Sequence, residues 1–309
     1  MGIPNKKTPD IFLKCRSVSA FTLVEVLVAS VVMVMLVGLV AYITGSVLNT
    51  WNRSSGKLSS NAEARLALDM IAQDLETAVL LNNGQQWLRV EGPASIDAPA
   101  PYNSGSIVLK LFAPALDRQN GDGICAIAYK LEYRESYAGG PDTYALYRRI
   151  IDPQTTLNSY LSSGFDNPAA SSQGNLEGSN AQANWAADNI TQNANYLIGN
   201  IVEFKVFVYD SDSVPNPVNA NPATNVITRD YAFGGDANLP DPSGFDEVRE
   251  FAPLYADIIL TVVTDQGMDL LNNIAQGLVP VNAIINAPNV VDQYGETLVR
   301  RVYFKSNPI

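Results

Sequence analysis

Hydrophobic positions along this chain follow three successive patterns. From Val26 to Asn52 there is no charged residue, and Val26–Ile43 is almost continuously apolar. That run is about 18 residues, roughly 27 Å as a helix, which just crosses a hydrocarbon core. From Gly45 to Leu81 the apolar residues thin to helical spacing. Val47, Trp51, Leu58, Ala62, Leu66, Ile71, Leu75, Ala78 and Val79 form a stripe, with Arg53, Lys57, Glu63, Arg65, Asp69, Asp74 and Glu76 between them. No proline interrupts Phe21–Gly92, so one helix is expected to run through both stretches until Asn82-Asn83-Gly84 stops it. Its outer half is expected to pack on a globular head.

Beyond Leu88 the period drops to two. Strands are predicted at 106–112, 125–134, 143–151, 201–209, 255–264 and 297–304. Ile127, Tyr129, Leu131 and Tyr133 share one face, as do Val202, Phe204, Val206 and Val208, the pattern of antiparallel strands with one buried side. Two polar stretches interrupt them. Residues 155–195 are crowded with Asn, Gln, Ser, Gly and Ala, and 211–246 carries Pro215, Pro217, Pro222, Pro240 and Pro242. Both exceed ordinary connections and are expected to be mobile loops or partner-binding excursions. The expected class is α+β: a long N-terminal helix, membrane-spanning then amphipathic, packed on an antiparallel β-rich head. The expected divisions are 1–20 as a leader, 21–82 as the helix and 83–309 as the head.

Charge and composition narrow the chemistry. With 20 Lys and Arg against 31 Asp and Glu the net charge is -11, so nucleic acid, which needs a cationic face, is excluded as a partner. There is no histidine, which removes the Ser-His-Asp triad and every zinc site built on imidazole. Cys15 and Cys125 fit no metal-ligand spacing, and Cys125 reads as a small core residue in an apolar strand.

The segment ahead of the apolar run carries Lys6, Lys7, Lys14 and Arg16 against Asp10, and the positive-inside bias places it in the cytoplasm and everything after Thr50 outside. An ordinary signal peptide has its small-residue cleavage site after the apolar run. Here Val18-Ser19-Ala20 precedes it. Glu25 sets a carboxylate at the hydrocarbon edge, a costly placement that marks a functional candidate.

Ala20-Phe21-Thr22-Leu23-Val24-Glu25 followed by about twenty apolar residues resembles the type III signal of type IV prepilins and type II secretion pseudopilins. The resemblance implies cleavage between Ala20 and Phe21 by a membrane aspartyl prepilin peptidase, with N-methylation of Phe21, although the family usually has Gly where Ala20 stands. It implies that Glu25 neutralises the free amino group of Phe21 on a neighbouring subunit during filament assembly, a pair strengthened by low dielectric. Further on, QDLETAV, AIAYKLEY, YALYRRI, NIVEFKVFVYD, ADIILTVVTDQG and RRVYF are similar to minor pseudopilins of the J type, over Phe21 to about Phe304. The implied protein is a single-pass subunit of a bacterial inner membrane with a periplasmic or extracellular head. It is not an enzyme and needs no cofactor, and its partners are the peptidase, other pilins or pseudopilins and the inner-membrane assembly platform. Removing the leader's four basic residues and one acid from 20 and 31 leaves 16 and 30, a net charge near -14.

Other motifs are weaker. Asn120-Gly121-Asp122-Gly123 looks like the middle of a calcium loop, with Asp117, Asn120 and Asp122 as candidate oxygen ligands. The first ligand position, however, falls on Arg118 and the twelfth on Tyr129, and a plain hairpin loop explains the same residues. Gly121-x-Gly123-x-x-Ala126 lacks the helix a dinucleotide fingerprint needs, and Gly56-Lys57 lacks the flanking residues of a phosphate loop. Two rival functions stay open. One is a type IV pilus minor pilin whose head loops bind a surface or glycan. The other is a membrane-anchored carbohydrate-active enzyme using carboxylates such as Asp210/Asp212 or Asp246/Glu247, whose separation decides that chemistry.

Overall fold

A computed structural model describes residues 22–81, 87–92, 102, 106–114, 123–135, 140–156, 190–212, 216–221, 223–224, 227, 231–233, 248–249, 252–281 and 286–305. The chain divides into two compact units, Met1–Asn52 and Arg53–Ile309. One helix, α1 (Leu23–Glu76), carries residues of both.

In the first unit every described side chain from Thr22 to Leu48 is exposed. In the second, α1 buries Ala64, Ala67, Leu68, Ile71, Ala72 and Leu75 in the head's core. These positions recur every three or four residues and so line one helix face. Full burial of Leu or Ile contributes about 1.5–3 kcal/mol each. The predicted stripe is right only in its last turns. Val47, Trp51, Leu58, Ala62 and Leu66 are exposed, Leu58 at 74% and Leu66 at 65%, and the buried face runs through Ala64, Ala67 and Leu68, one to two positions round from Ala62 and Leu66. The helix also closes at Glu76, ahead of Asn82. The Val79 N–H donates to the Phe112 carbonyl at 2.8 Å, so pairing with the sheet captures the chain before the Asn-Gly stop is reached.

The head holds a seven-stranded and a three-stranded sheet among the described residues. The larger is built from β1 (Leu88–Glu91), β2 (Val108–Pro114), β3 (Ile124–Glu135), β4 (Asp142–Ile151), β5 (Tyr196–Gly199), β7 (Tyr231–Phe233) and β8 (Val248–Arg249), in the order β5-β4-β3-β2-β1-β7-β8. The smaller has β6 (Ile201–Asp210), β9 (Pro253–Val263) and β10 (Gly295–Tyr303), in the order β10-β9-β6. All pairings are antiparallel except β7 with β8. The sheets are tied where Ile107 N–H donates to Phe204 O at 3.0 Å and Phe204 N–H to Ser106 Oγ at 3.1 Å.

All six predicted strands exist. Sequence periodicity passed over the helices α2 (Pro153–Thr156), α3 (Asp265–Ala275) and α4 (Ala287–Tyr294). Thr264 caps α3 by accepting from Gly267 N–H, and Asn286 caps α4 by accepting from Asn289 N–H. Gly277, at φ +69°, ends α3. Its N–H bonds Ile274 O and that of Leu278 bonds Asn273 O, the paired bonds of a left-handed helix stop. The second polar stretch is not wholly a loose excursion. Val218, Asn219 and Ala220 are buried, Asn219 Oδ1 accepts from Val208 N–H at 3.1 Å, and Asn219 Nδ2 donates to Val206 O at 2.9 Å, so this segment covers the edge of β6. Residues 157–189 of the first polar stretch lie outside the described residues.

Candidate functional site

Leu23–Leu48 is one helical segment of 26 residues, long and apolar enough to cross a membrane, with mean hydropathy 2.8 over its most apolar 18 residues and none of them buried. As helix that is about 39 Å, more than a roughly 30 Å hydrocarbon core requires. A helix apolar on every side has no face to turn to water, so lipid or other apolar helices are its natural surroundings.

The start of this helix is built by Thr22 and Glu25. Glu25 N–H donates to Thr22 Oγ1 at 3.3 Å, while Glu25 Oε2 accepts from Thr22 N–H at 3.1 Å and from Thr22 Oγ1 at 3.2 Å. This is a capping box: two backbone donors that the helix leaves unused are satisfied reciprocally by side chains. The arrangement places a carboxylate at a helix N-terminus, where the macrodipole favours negative charge. Glu25 is therefore satisfied within its own chain and remains exposed. Ala20 and Phe21, the predicted cleavage and methylation positions, lie outside the described residues.

Within the head, one polar cluster sits inside the apolar contact between α1 and the sheet. Asp74, 3% exposed, accepts from Arg148 Nε at 2.9 Å and from Arg148 Nη2 at 3.0 Å, a two-pronged contact. Tyr129 donates its hydroxyl to Asp74 Oδ2 at 2.5 Å. Burial, with the Asp74 charge next, pushes the Tyr129 phenol well above its usual range, opposed by Arg148. Sequence showed Asp74 only as one of several interspersed acids. Its partners lie 74 and 55 residues away and no local signal points to them.

A cleft of about 320 Å³ lies between α1, the start of β4, the β5–β6 turn and α3, lined by Glu63, Asp142, Asp265 and Asp269 with Tyr196, Asn200, Met268 and Asn272. Asn200, at φ +61°, donates to Asp265 Oδ1 at 2.7 Å and accepts from Thr143 Oγ1 at 3.2 Å.

The remaining candidates separate. Cys125 is buried in β3. Asp210 is fully buried at the end of β6 and accepts from Asp212 N–H at 3.0 Å, so it shapes a turn and is not the solvated loop acid its sequence context suggests. Asp246 and Glu247 lie outside the described residues, as do Asp117, Asn120 and Asp122 of the calcium-like loop. Among the described residues no group of three or more metal-ligating side chains comes together.

No protein-family model and no curated protein matches the sequence. Among solved structures, the chain is similar to the type IV-like pilin TTHA1219 from Thermus thermophilus, at 10% identity and a TM-score of 0.34, over 79% of this chain and 95% of that one. Identity and score this low leave the roles of individual residues to the chain's own geometry.

Proposed function

We propose that the chain is a pilin-class subunit, a minor pilin or type II secretion pseudopilin of the bacterial inner membrane, that works by assembly and not by catalysis. The observation that supports this most is the N-terminal segment, a fully exposed apolar helix whose first turn is capped by Thr22 and Glu25 directly after Ala20-Phe21. A peptidase cutting before Phe21 would leave the new amino group four residues ahead of the Glu25 carboxylate. In this proposal Glu25 exchanges its bonds to Thr22 for the Phe21 amine of a neighbouring subunit, a charge-assisted contact at the helix start. The inner-membrane platform and other pilin-like subunits are the partners. The head stays on the far side of the membrane.

The test is the intact mass and N-terminal sequence of the full chain recovered from membranes of cells that carry a prepilin peptidase. A chain beginning at methylated Phe21 is the expected result. A chain still carrying Met1–Ala20 would make the apolar helix a static anchor and end the pilin proposal. In processed chains, Glu25→Ala is expected to leave membrane insertion intact and to reduce incorporation into filaments. Normal incorporation would remove the role given to Glu25.

A further inference from the structure

We infer that the buried Asp74–Arg148–Tyr129 cluster fixes the axial register of α1 on the head, and that this, more than stability, is what it contributes. The inference stands on the head alone and does not depend on the pilin proposal. By polarity, though not by side-chain size, the apolar face of α1 is blind to register. Sliding the helix by one turn puts Leu68 where Ala64 was, Ile71 where Ala67 was and Leu75 where Ile71 was, so apolar residues meet the same apolar core. Such a slide covers about 5–6 Å along the axis. Area burial separates the two registers weakly, because the hydrophobic effect has no direction.

The polar contacts do have direction. Asp74 is the one buried carboxylate on the head-facing side of α1 among the described residues, and Arg148 and Tyr129 converge on it. One turn of slide in either direction would replace it with Met70 or Ala78, leaving a buried guanidinium and a phenol facing apolar side chains. Further polar links from α1 to β10 and the residues just after it, Asn61–Glu296, Asp69–Arg300 and Glu76–Lys305, lie at the surface, where such pairs discriminate little. Buried ion pairs frequently add little net stability over apolar residues of similar size, yet they penalise every arrangement that separates them. A helix locked in this way carries the head with it when it is displaced along its axis, without slipping.

The experiment uses the full chain in detergent micelles on a Cys15→Ser background, with one cysteine at Arg300→Cys and a second at Asp69→Cys, Arg65→Cys or Gln73→Cys. A short bis-methanethiosulfonate linker then reports which helix turn lies level with Arg300. In the parent, the 69/300 pair is expected to link about tenfold or more above the 65/300 and 73/300 pairs, since the shifted registers strand buried polar groups. In the apolar variant Asp74→Leu/Tyr129→Phe/Arg148→Met the chain is expected to fold, with Tm close to the parent's, while a shifted pair rises to a yield comparable with 69/300. Continued linking at 69/300 alone would overturn the inference, since packing would then set the register. An apolar variant that fails to fold would overturn it too, by showing that the cluster holds the fold itself.

Discussion

Two stretches of α1, both rich in apolar residues, meet opposite fates. Between Leu23 and Leu48 every described side chain is exposed, whereas between Ala64 and Leu75 six apolar side chains are buried and Arg65, Leu66, Asp69 and Gln73 face out. The difference lies in how the apolar residues are distributed around the helix. A segment apolar on every side has nothing to turn to water and suits a lipid solvent, while a one-sided segment completes a sheet. The buried stretch also contains a charge, Asp74, which needs a partner there, whereas Glu25, the one charge of the first stretch, sits exposed at its very start. The sheet supplies that partner as Arg148.

This contrast can be broken from either side. The largest expected effect is in the head: Arg148→Met leaves Asp74 buried without its guanidinium and is expected to cost about 3–5 kcal/mol of stability, read by denaturant unfolding. An unchanged midpoint would mean that water reaches Asp74. In the other stretch, Leu36→Arg is expected to lower membrane insertion by about 3 kcal/mol in a translocon assay without moving the melting temperature of the head. An insertion free energy unchanged from the parent would mean that Leu36 does not lie in the hydrocarbon core.

An alkaline titration probes the buried side more gently. The Tyr129 and Tyr144 phenols are both raised, chiefly by burial. The folded chain therefore holds these protons where the unfolded chain, ionising near pH ~10, releases them. Their contribution is complete below that pH and is lost as the pH climbs beyond it, so the head is expected to destabilise steeply in strong alkali. Tyr129→Phe should flatten the slope, and an identical slope would mean that Tyr129 does not titrate with unfolding. The smallest effect is expected at Leu66→Ser, within about 0.5 kcal/mol by thermal melting, since Leu66 is exposed where Ile71 is fully buried. A loss as large as that of a core residue would show that the exposed face of α1 is covered by something else.

Strong local periodicity made the six long strands and the existence of α1 legible. The buried face of α1 was legible only from Ile71 onward, because a stripe drawn through Leu58, Ala62 and Leu66 fits helical spacing as well as the true face through Ala64, Ala67 and Leu68. Spacing alone does not say which of two neighbouring faces the sheet will meet. The helices α3 and α4 left signals that periodicity missed: a Thr264-Asp265 start with Gly277 behind it, and Asn286-Ala-Pro ahead of Val290. Short strands such as β1 and β5 carry too few residues for a period to show. Of the candidate site, Glu25 was legible as a carboxylate at the edge of the apolar run, whereas its capping bonds with Thr22 emerged only in the structure. Asp74, Arg148 and Tyr129 were not, because nothing in the chain near any one of them names the others.

By itself, then, the sequence determined what depends on neighbours along the chain: an apolar segment fit to cross a membrane, a carboxylate at its edge close behind Ala20-Phe21, an α+β order of elements and the absence of imidazole chemistry. Only the tertiary structure decided which face of α1 is buried, where the helix ends, that Asn219 seals the edge of β6 and that Asp74 meets Arg148. Those outcomes depend on contacts between residues far apart in sequence, and their free energy exists only once the sheet has formed.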